Sequence, residues 1–279
     1  MSEIIANNKR TYDALAEQYE QKVLERYDIN ELVISHFVKH ITTGDRVLDL
    51  GCAVGLAMSI LNHKGFSVVG FDLSGEMVLF AKNRNPGNKI ILGNFMEVDF
   101  DEKFDAIFAQ AFIHLFPKEE AISVLKKIKL SLKENGVAHI TTSKSTESKE
   151  GWHIKSDYSG EHKRFRKFWA KDELTETLLE IGFHIIDYYE LQDSFDKEWM
   201  IFIVRNDHKV IPPGTYQHYK GNFYEVLGEA KHSETLEDLV VYKALYDDTV
   251  SKIWARPRKM FLEMVLVNGK EVPRFKKIN

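Results

Sequence analysis

Through the first two thirds of the chain, short apolar runs of strand length alternate with segments whose apolar residues recur every three or four positions. Residues 46–50 (Arg-Val-Leu-Asp-Leu) read as a buried strand that ends in a glycine turn. Residues 57–63 read as a helix stopped at Gly65, and 67–73 (SVVGFDL) as the next strand. Ser74 is placed to cap a helix over 76–83. Further strands are expected at 89–92 and 104–109. Pro117 opens a helix in which Ala121, Val124, Leu125, Ile128 and Leu132 keep helical spacing; Gly136 is expected to close it, with a strand at 137–142. A helix over 172–181 ends at Gly182. The strands at 184–191 and 199–204 are joined by a polar loop too short for a crossover helix, so they should pair as an antiparallel hairpin. This alternation predicts an α/β fold with a mainly parallel sheet covered by helices.

The pattern changes near Asn206. Residues 206–214 (NDHKVIPPG) join a charged stretch to a Pro-Pro-Gly turn, a linker signal. Beyond them, runs rich in Tyr, Val and Phe alternate with turn residues and no long helical period appears. The expected organisation is therefore a domain over 1–205 and a small β-rich domain over 206–279.

Composition narrows the classes. Apolar residues make up 44% and charged residues 29%, the balance of a chain with a sizeable core. Lys plus Arg number 38 against 42 Asp plus Glu, so a global basic field for nucleic acid or anionic lipid is excluded. One cysteine allows no intrachain disulfide, the amino terminus is polar, and no apolar run has spanning length, so a cytoplasmic location is expected.

Candidate chemistry concentrates in Asp49-Leu50-Gly51-Cys52-Ala53-Val54-Gly55 and in Asp72. A glycine turn after the first strand lets backbone approach a ligand, and an acid at the end of the second strand can accept hydrogen bonds from both hydroxyls of a ribose. That pairing points to a nucleoside-bearing ligand. The dinucleotide fingerprint needs glycines where this chain has Ala53 and Leu56, and no P-loop follows a strand.

The spacing Asp49-x-Gly51-x-x-x-Gly55 instead resembles the first motif of class I S-adenosylmethionine-dependent methyltransferases. The resemblance extends over roughly residues 10–205, through Asp72, Gly93-Asn94-Phe95, Phe104-Asp105-Ala106-Ile107, Ala109-Gln110-Ala111 and His114-Leu115. It implies a Rossmann-like sheet that binds S-adenosyl-L-methionine. Gly51, Ala53 and Gly55, with Asp49 and Cys52 in the same turn, would line the methionine portion. Asp72 would hold the ribose, with Leu73 and Met77 beside it, and Asn94 and Phe95 would frame the adenine. Tyr19 from the amino-terminal segment and Gln110 after the fourth strand complete the implied site. Ala53 stands where the family commonly has glycine, and Asn94 where it often has Asp.

His114 lies at the carboxyl edge of the fourth strand, where it is a candidate general base or a packed histidine. Tyr12, Asp13, Ala16 and Tyr19 resemble the segment that folds over the cofactor in small-molecule methyltransferases, or form the edge of an amphipathic helix. Trp152-His153 and the run from Glu161 to Arg166 border the acceptor site or form a solvated face. The eleven histidines show no metal-ligand spacing, so no metal is expected.

The segment over 211–278 resembles a small bacterial domain family of unknown function, through Tyr216-x-His218-Tyr219-Lys220-Gly221, Trp254-x-Arg256-Pro257 and Val272-Pro273-Arg274-Phe275. From residue 206 on, twelve Lys/Arg stand against ten Asp/Glu, so a nucleic-acid surface is not expected. The reading is methyl transfer to a small-molecule acceptor. An RNA or protein methyltransferase whose tail recruits its substrate, and a non-catalytic cofactor-binding module, stay open.

Overall fold

Helix starts and stops follow local chemistry. Ser2 accepts from the Ile5 amide to open α1 (Glu3–Gln21), which is followed by α2 (Tyr27–Phe37) and a short 3-10 turn, Val38–His40. Strand β1 (Arg46–Leu50) leads through the glycine turn into α3 (Leu56–His63) and β2 (Ser67–Asp72). Ser74 caps α4 (Gly75–Arg84) by accepting from Met77 N at 3.2 Å, and β3 (Ile90–Leu92) follows. Then come β4 (Phe104–Gln110), α5 (Lys118–Ser131), β5 (Leu132–Ser145), β6 (Lys149–Lys155), β7 (His162–Ala170), α6 (Lys171–Ile181), β8 (His184–Gln192) and β9 (Glu198–Arg205). Gly182 ends α6 in the left-handed region at φ 87°, as glycine does at many helix ends. This computed structural model describes all residues except 1, 156–157, 194–195, 207–210, 236, 248–250, 268 and 279.

Two compact units result, Met1–His208 and Lys209–Asn279. In the larger, β3-β2-β1-β4-β5 run parallel, and β9 then pairs antiparallel to β5 and β8 to β9. The end of β5 also pairs with β7, which carries β6 antiparallel to it. Alternating strand residues feed opposite faces. Leu48 and Ile107 pack under α5 and α6 with Leu125, Ile128 and Leu178, whereas Val47 and Phe108 pack under α2 and α3 with Ile34, Phe37 and Met58.

Three features depart from the sequence reading. Helix α5 stops at Ser131, before Gly136, and the chain enters β5 directly with Asn135 at φ 61°. Gly136 serves close packing instead, since a Cβ there would lie 3.0 Å from the carbonyl oxygens of Asp105 and Lys133. The β6–β7 hairpin was not foreseen. Its alternation is hidden because Arg164 and Lys167 take buried positions beside Phe165 and Trp169. Asn206, assigned to the tail, is bonded into the larger unit: its amide donates to Gly136 O at 2.7 Å, and its side chain donates to Lys133 O at 3.0 Å. The rest of the expected linker, 207–210, lies outside the described residues.

The smaller unit contains β10 (Gly214–His218), β11 (Phe223–Lys231), β12 (Asp238–Ala244), β13 (Ile253–Pro257), a five-residue α7 (Arg258–Leu262), β14 (Met264–Val267), β15 (Lys270–Pro273) and β16 (Phe275–Lys277). Its main sheet runs β13-β12-β11-β10-β16, all antiparallel. Tyr216, Val226, Val240, Tyr242, Phe261 and Phe275 form its core, with Phe261 and Phe275 stacked at 4.1 Å. Arg258 and Arg274 are ion-paired with Glu229 and Glu263, which cancels much of the basic character of this surface.

Candidate active site

The carboxyl ends of β1, β2 and β4 open into a cavity of about 280 Å³ within the larger unit. This is the edge where parallel α/β sheets place ligands. The turn after β1 is pinned by Phe71, whose carbonyl accepts from Gly51 N at 2.8 Å and Cys52 N at 3.0 Å. Gly51 sits at φ 78°, and a Cβ there would lie 2.7 Å from the Phe112 ring. Only glycine fits. Ala53 is held at φ 46° and Ala111 at φ 54°, and both alanines line the cavity. Left-handed conformations for alanine cost about 1–2 kcal/mol each, so the turn is maintained by its hydrogen bonds rather than by its own preference.

Asp72 supplies one of those bonds. Its Oδ2 accepts from Ala53 N at 2.9 Å and its Oδ1 from Ser74 N at 2.9 Å. The Leu73 amide also bonds this carboxylate, which lines the cavity. Asp49, at the end of β1, is only 3% exposed, and its Oδ2 has no hydrogen-bond partner. Burial, reinforced by the nearby Asp72 carboxylate, pushes the Asp49 carboxyl up to about 8. Burial also raises the carboxyl of Asp72, against the amides of Ser74 and Ala53 that lower it. Gln110 Oε1 is likewise buried without a partner in the same wall. Two acids and an amide oxygen facing one cavity form a receptor for a ligand with a cationic group and donor hydroxyls.

Of the residues singled out from sequence, Tyr19, Asp49, Gly51, Cys52, Ala53, Asp72, Leu73, Met77, Asn94, Phe95, Gln110 and His114 all line this cavity. Gly55 does not. At φ 79° it opens α3, and a Cβ there would lie 2.5 Å from Asn85 Nδ2 and 3.0 Å from the Ala81 backbone, so it serves packing of the turn against α4. Asn94 is also busier than expected. Its side-chain oxygen caps the turn Phe95–Glu97 through Met96 N at 3.1 Å, and its amide donates to Glu97 at 2.8 Å. The Cys52 thiol is buried and pushed well above its ordinary value, which suits a packing residue rather than a nucleophile.

Helix α1 roofs the cavity. Asn8 donates to Leu115 O at 2.9 Å and accepts from Phe165 N at 3.0 Å, and Thr11 donates to Lys163 O at 2.7 Å. On the other side, Ser74 donates to Asp13 at 2.6 Å and Arg84 pairs with Glu20 at 2.6 Å. Tyr19 stacks on Tyr158 at 4.7 Å. The sequence reading missed Asn8 and Trp199 as wall residues, and it left Arg164 and Arg166 inside a charged run of undecided role. Arg164 is 6% exposed and donates to the Tyr12 hydroxyl at 2.6 Å. The signal was present: in His162-Lys163-Arg164-Phe165-Arg166 the arginines alternate with other residues at strand period, so one strand face carries both. Trp152, by contrast, is 40% exposed and is not part of the wall.

The comparisons with known proteins agree with this geometry. Residues 47–136 match the family described as methyltransferase domain, and residues 214–277 match a family described as protein of unknown function (DUF1653). The larger unit therefore holds a segment similar to the methyltransferase domain family, set in a Rossmann-like fold.

Among its relatives, an uncharacterized protein of Methanocaldococcus jannaschii is 29% identical over 68% of this chain and 74% of its own. The cypemycin N-terminal methyltransferase of a Streptomyces species is 28% identical over 44% of this chain and 55% of its own. Apart from the first, the curated relatives include several matched over only 40% to 55% of their own length. In fold, the chain is similar to the 1,6-didemethyltoxoflavin-N1-methyltransferase of Burkholderia thailandensis, solved with 1,6-didemethyltoxoflavin and S-adenosylhomocysteine. The TM-score is 0.60 at 16% identity, covering 72% of this chain and 88% of that one. No helix among the described residues is long and apolar enough to cross a membrane.

Proposed function

We propose that the chain transfers a methyl group to a small-molecule acceptor held in the roofed cavity of the larger unit. S-adenosylmethionine, when bound, supplies a methyl group already activated on a sulfonium. The residues fit its parts. The observation that carries the assignment is the buried, unpartnered Asp49 oxygen beside the Asp72 carboxylate, a pair suited to an ammonium and a ribose diol. Gly51 and Ala53 would line the methionine portion, and Asn94 with Phe95 would frame the adenine.

On the far side of β1 from β2, the wall carries Arg164, Arg166 and Lys197 together with Trp199 and His114. Asp193 lies in the same wall and accepts from Trp199 Nε1 at 2.8 Å. The excess of cations over this acid beside an aromatic ring supports an acceptor that combines a flat apolar portion with an acidic group. Aligning such an acceptor is the chief task left to the protein, because the donor needs no further activation. His114, buried in this wall, is the candidate base when the acceptor atom carries a proton. The helical roof, tied at both edges, supports a small acceptor over a macromolecular one.

Labelled S-adenosylmethionine incubated with full chain and separated pools of metabolites, RNA and protein tests this directly. The expected label appears in the metabolite pool. Label confined to RNA or protein would replace this reading with the macromolecular one, and cofactor binding without transfer to any pool would favour a non-catalytic module. A chain ending at His208, which retains Asn206, is expected to keep cofactor affinity, since every proposed cofactor contact precedes it.

A further inference from the structure

The sequence reading expects no metal, yet the fold gathers two imidazoles and a carboxylate away from the acids of the cofactor cavity. His36 lies in the last turn of α2, and His40 follows one turn later, at the end of the 3-10 segment. The four-residue spacing puts both rings on one face. Asp187 comes from β8, where the register with β9 shifts between Ile185 and Asp187. Such a bulge re-aims side chains. One carboxylate oxygen, Oδ2, lies 2.6 Å from His36 Nε2 and 3.3 Å from His40 Nε2. One donor atom from each residue falls within a set whose members are all within 4.8 Å of one another.

These separations are close to what a metal requires. Ligands at about 2.0–2.2 Å around a tetrahedral ion stand roughly 3.3–3.6 Å apart. The His40–Asp187 distance already meets this, the His36–Asp187 distance must open by about 1 Å, and the two imidazoles, within 4.8 Å of each other, must draw together around the ion. The side chains are 33%, 22% and 31% exposed, so an ion can enter and a water can complete its shell. A set of two imidazoles and one carboxylate is borderline in softness. It suits Zn²⁺ and its first-row neighbours rather than Ca²⁺ or Mg²⁺, which favour all-oxygen shells.

We propose that His36, His40 and Asp187 bind one divalent transition-metal ion, which clips α2 to β8. The consequence reaches the cavity, because α2 also contributes Asn30 and Val33 to its wall and β8 contributes Leu191. An ion at the clip would fix the spacing of those two walls. The proposal does not depend on the identity of the acceptor or the cofactor.

The test uses the full chain stripped with a chelator and titrated with Zn²⁺ by calorimetry. One ion per chain is expected. His40→Gln and Asp187→Asn are expected to weaken binding by at least about 10-fold, while His63→Ala, an exposed histidine outside the cluster, leaves it unchanged. Zn²⁺ should raise the melting temperature of the parent chain and not of His40→Gln. Because a variant can fail to fold, Co²⁺ added to the unmodified chain gives a second readout: the intense visible bands of a four- or five-coordinate ion are expected. No stoichiometric Zn²⁺ site, a site indifferent to both ligand variants while they stay folded, or only the weak spectrum of hydrated Co²⁺ would each reduce the cluster to a hydrogen-bonded clasp and overturn the proposal.

Discussion

Replacing Asp72 with alanine is expected to weaken S-adenosylmethionine binding by about two to four orders of magnitude. The reason is additive: two charge-assisted hydrogen bonds to a ribose diol are worth about 1.5–3 kcal/mol each. The structure adds a second cause. The same carboxylate accepts from Ala53 N and Ser74 N, so its loss also frees the strained turn that lines the cavity. Asp72→Asn separates the two causes. It keeps the shape and one acceptor oxygen, and so retains part of the brace while losing the charge. Alanine should therefore lose more affinity than asparagine, and also lower the melting temperature. Calorimetry and thermal melts on both variants read this. Unchanged affinity with a lowered melting temperature would make Asp72 a brace of the turn and nothing more.

Cofactor affinity is expected to rise with pH by about tenfold per unit up to about pH 8, and then to level off. Burial and the neighbouring Asp72 carboxylate hold the Asp49 carboxyl at about 8, so at neutral pH the empty site carries a proton there. A ligand ammonium opposite Asp49 favours the ionised form. Binding below pH 8 must therefore release that proton, and it becomes easier as pH rises. The same shift fixes the sign for folding. Between the ordinary carboxylate range and about 8 the folded, unliganded chain binds more protons at Asp49 than the unfolded chain does, so this group makes stability fall as pH rises through that window. Titrations in buffers of differing ionisation enthalpy should show the proton release. Asp49→Asn should bind weakly and show no slope. A flat profile for the unmodified chain would remove Asp49 from the ammonium site.

Most of the parallel sheet and the glycine turn were legible because local and global signals agree there. The run Arg46 to Leu50, the glycines at Gly51 and Gly65, and the cap at Ser74 each demand one backbone state. The hairpin formed by β6 and β7 was not legible. Both faces of β7 are partly buried, with Arg164 on one and Lys167 on the other. They are accommodated by a tyrosine hydroxyl and by Glu173 at 2.9 Å, partners that only the fold supplies. Gly55 was misjudged for a related reason: the motif spacing names it, but whether its bare face meets the cavity or Ala81 depends on how α4 packs. Gly136 likewise looked like a helix stop and proved to be a point of close approach to Asp105. In the candidate site, the acids announce themselves by position after strands. The orphaned state of the Asp49 oxygen, and the meeting of His36, His40 and Asp187, are facts of packing that the linear pattern does not carry.

The central claim is that the acids at the ends of β1 and β2 hold S-adenosylmethionine. Its most direct test is calorimetric titration of the unmodified full chain with S-adenosylhomocysteine, S-adenosylmethionine and NAD in parallel. Both adenosyl compounds are expected to bind with a stoichiometry of one, and NAD is expected to give no heat, since Ala53 and Leu56 replace glycines that a pyrophosphate site needs. Binding of NAD alone, or no binding of either adenosyl compound, would contradict the account.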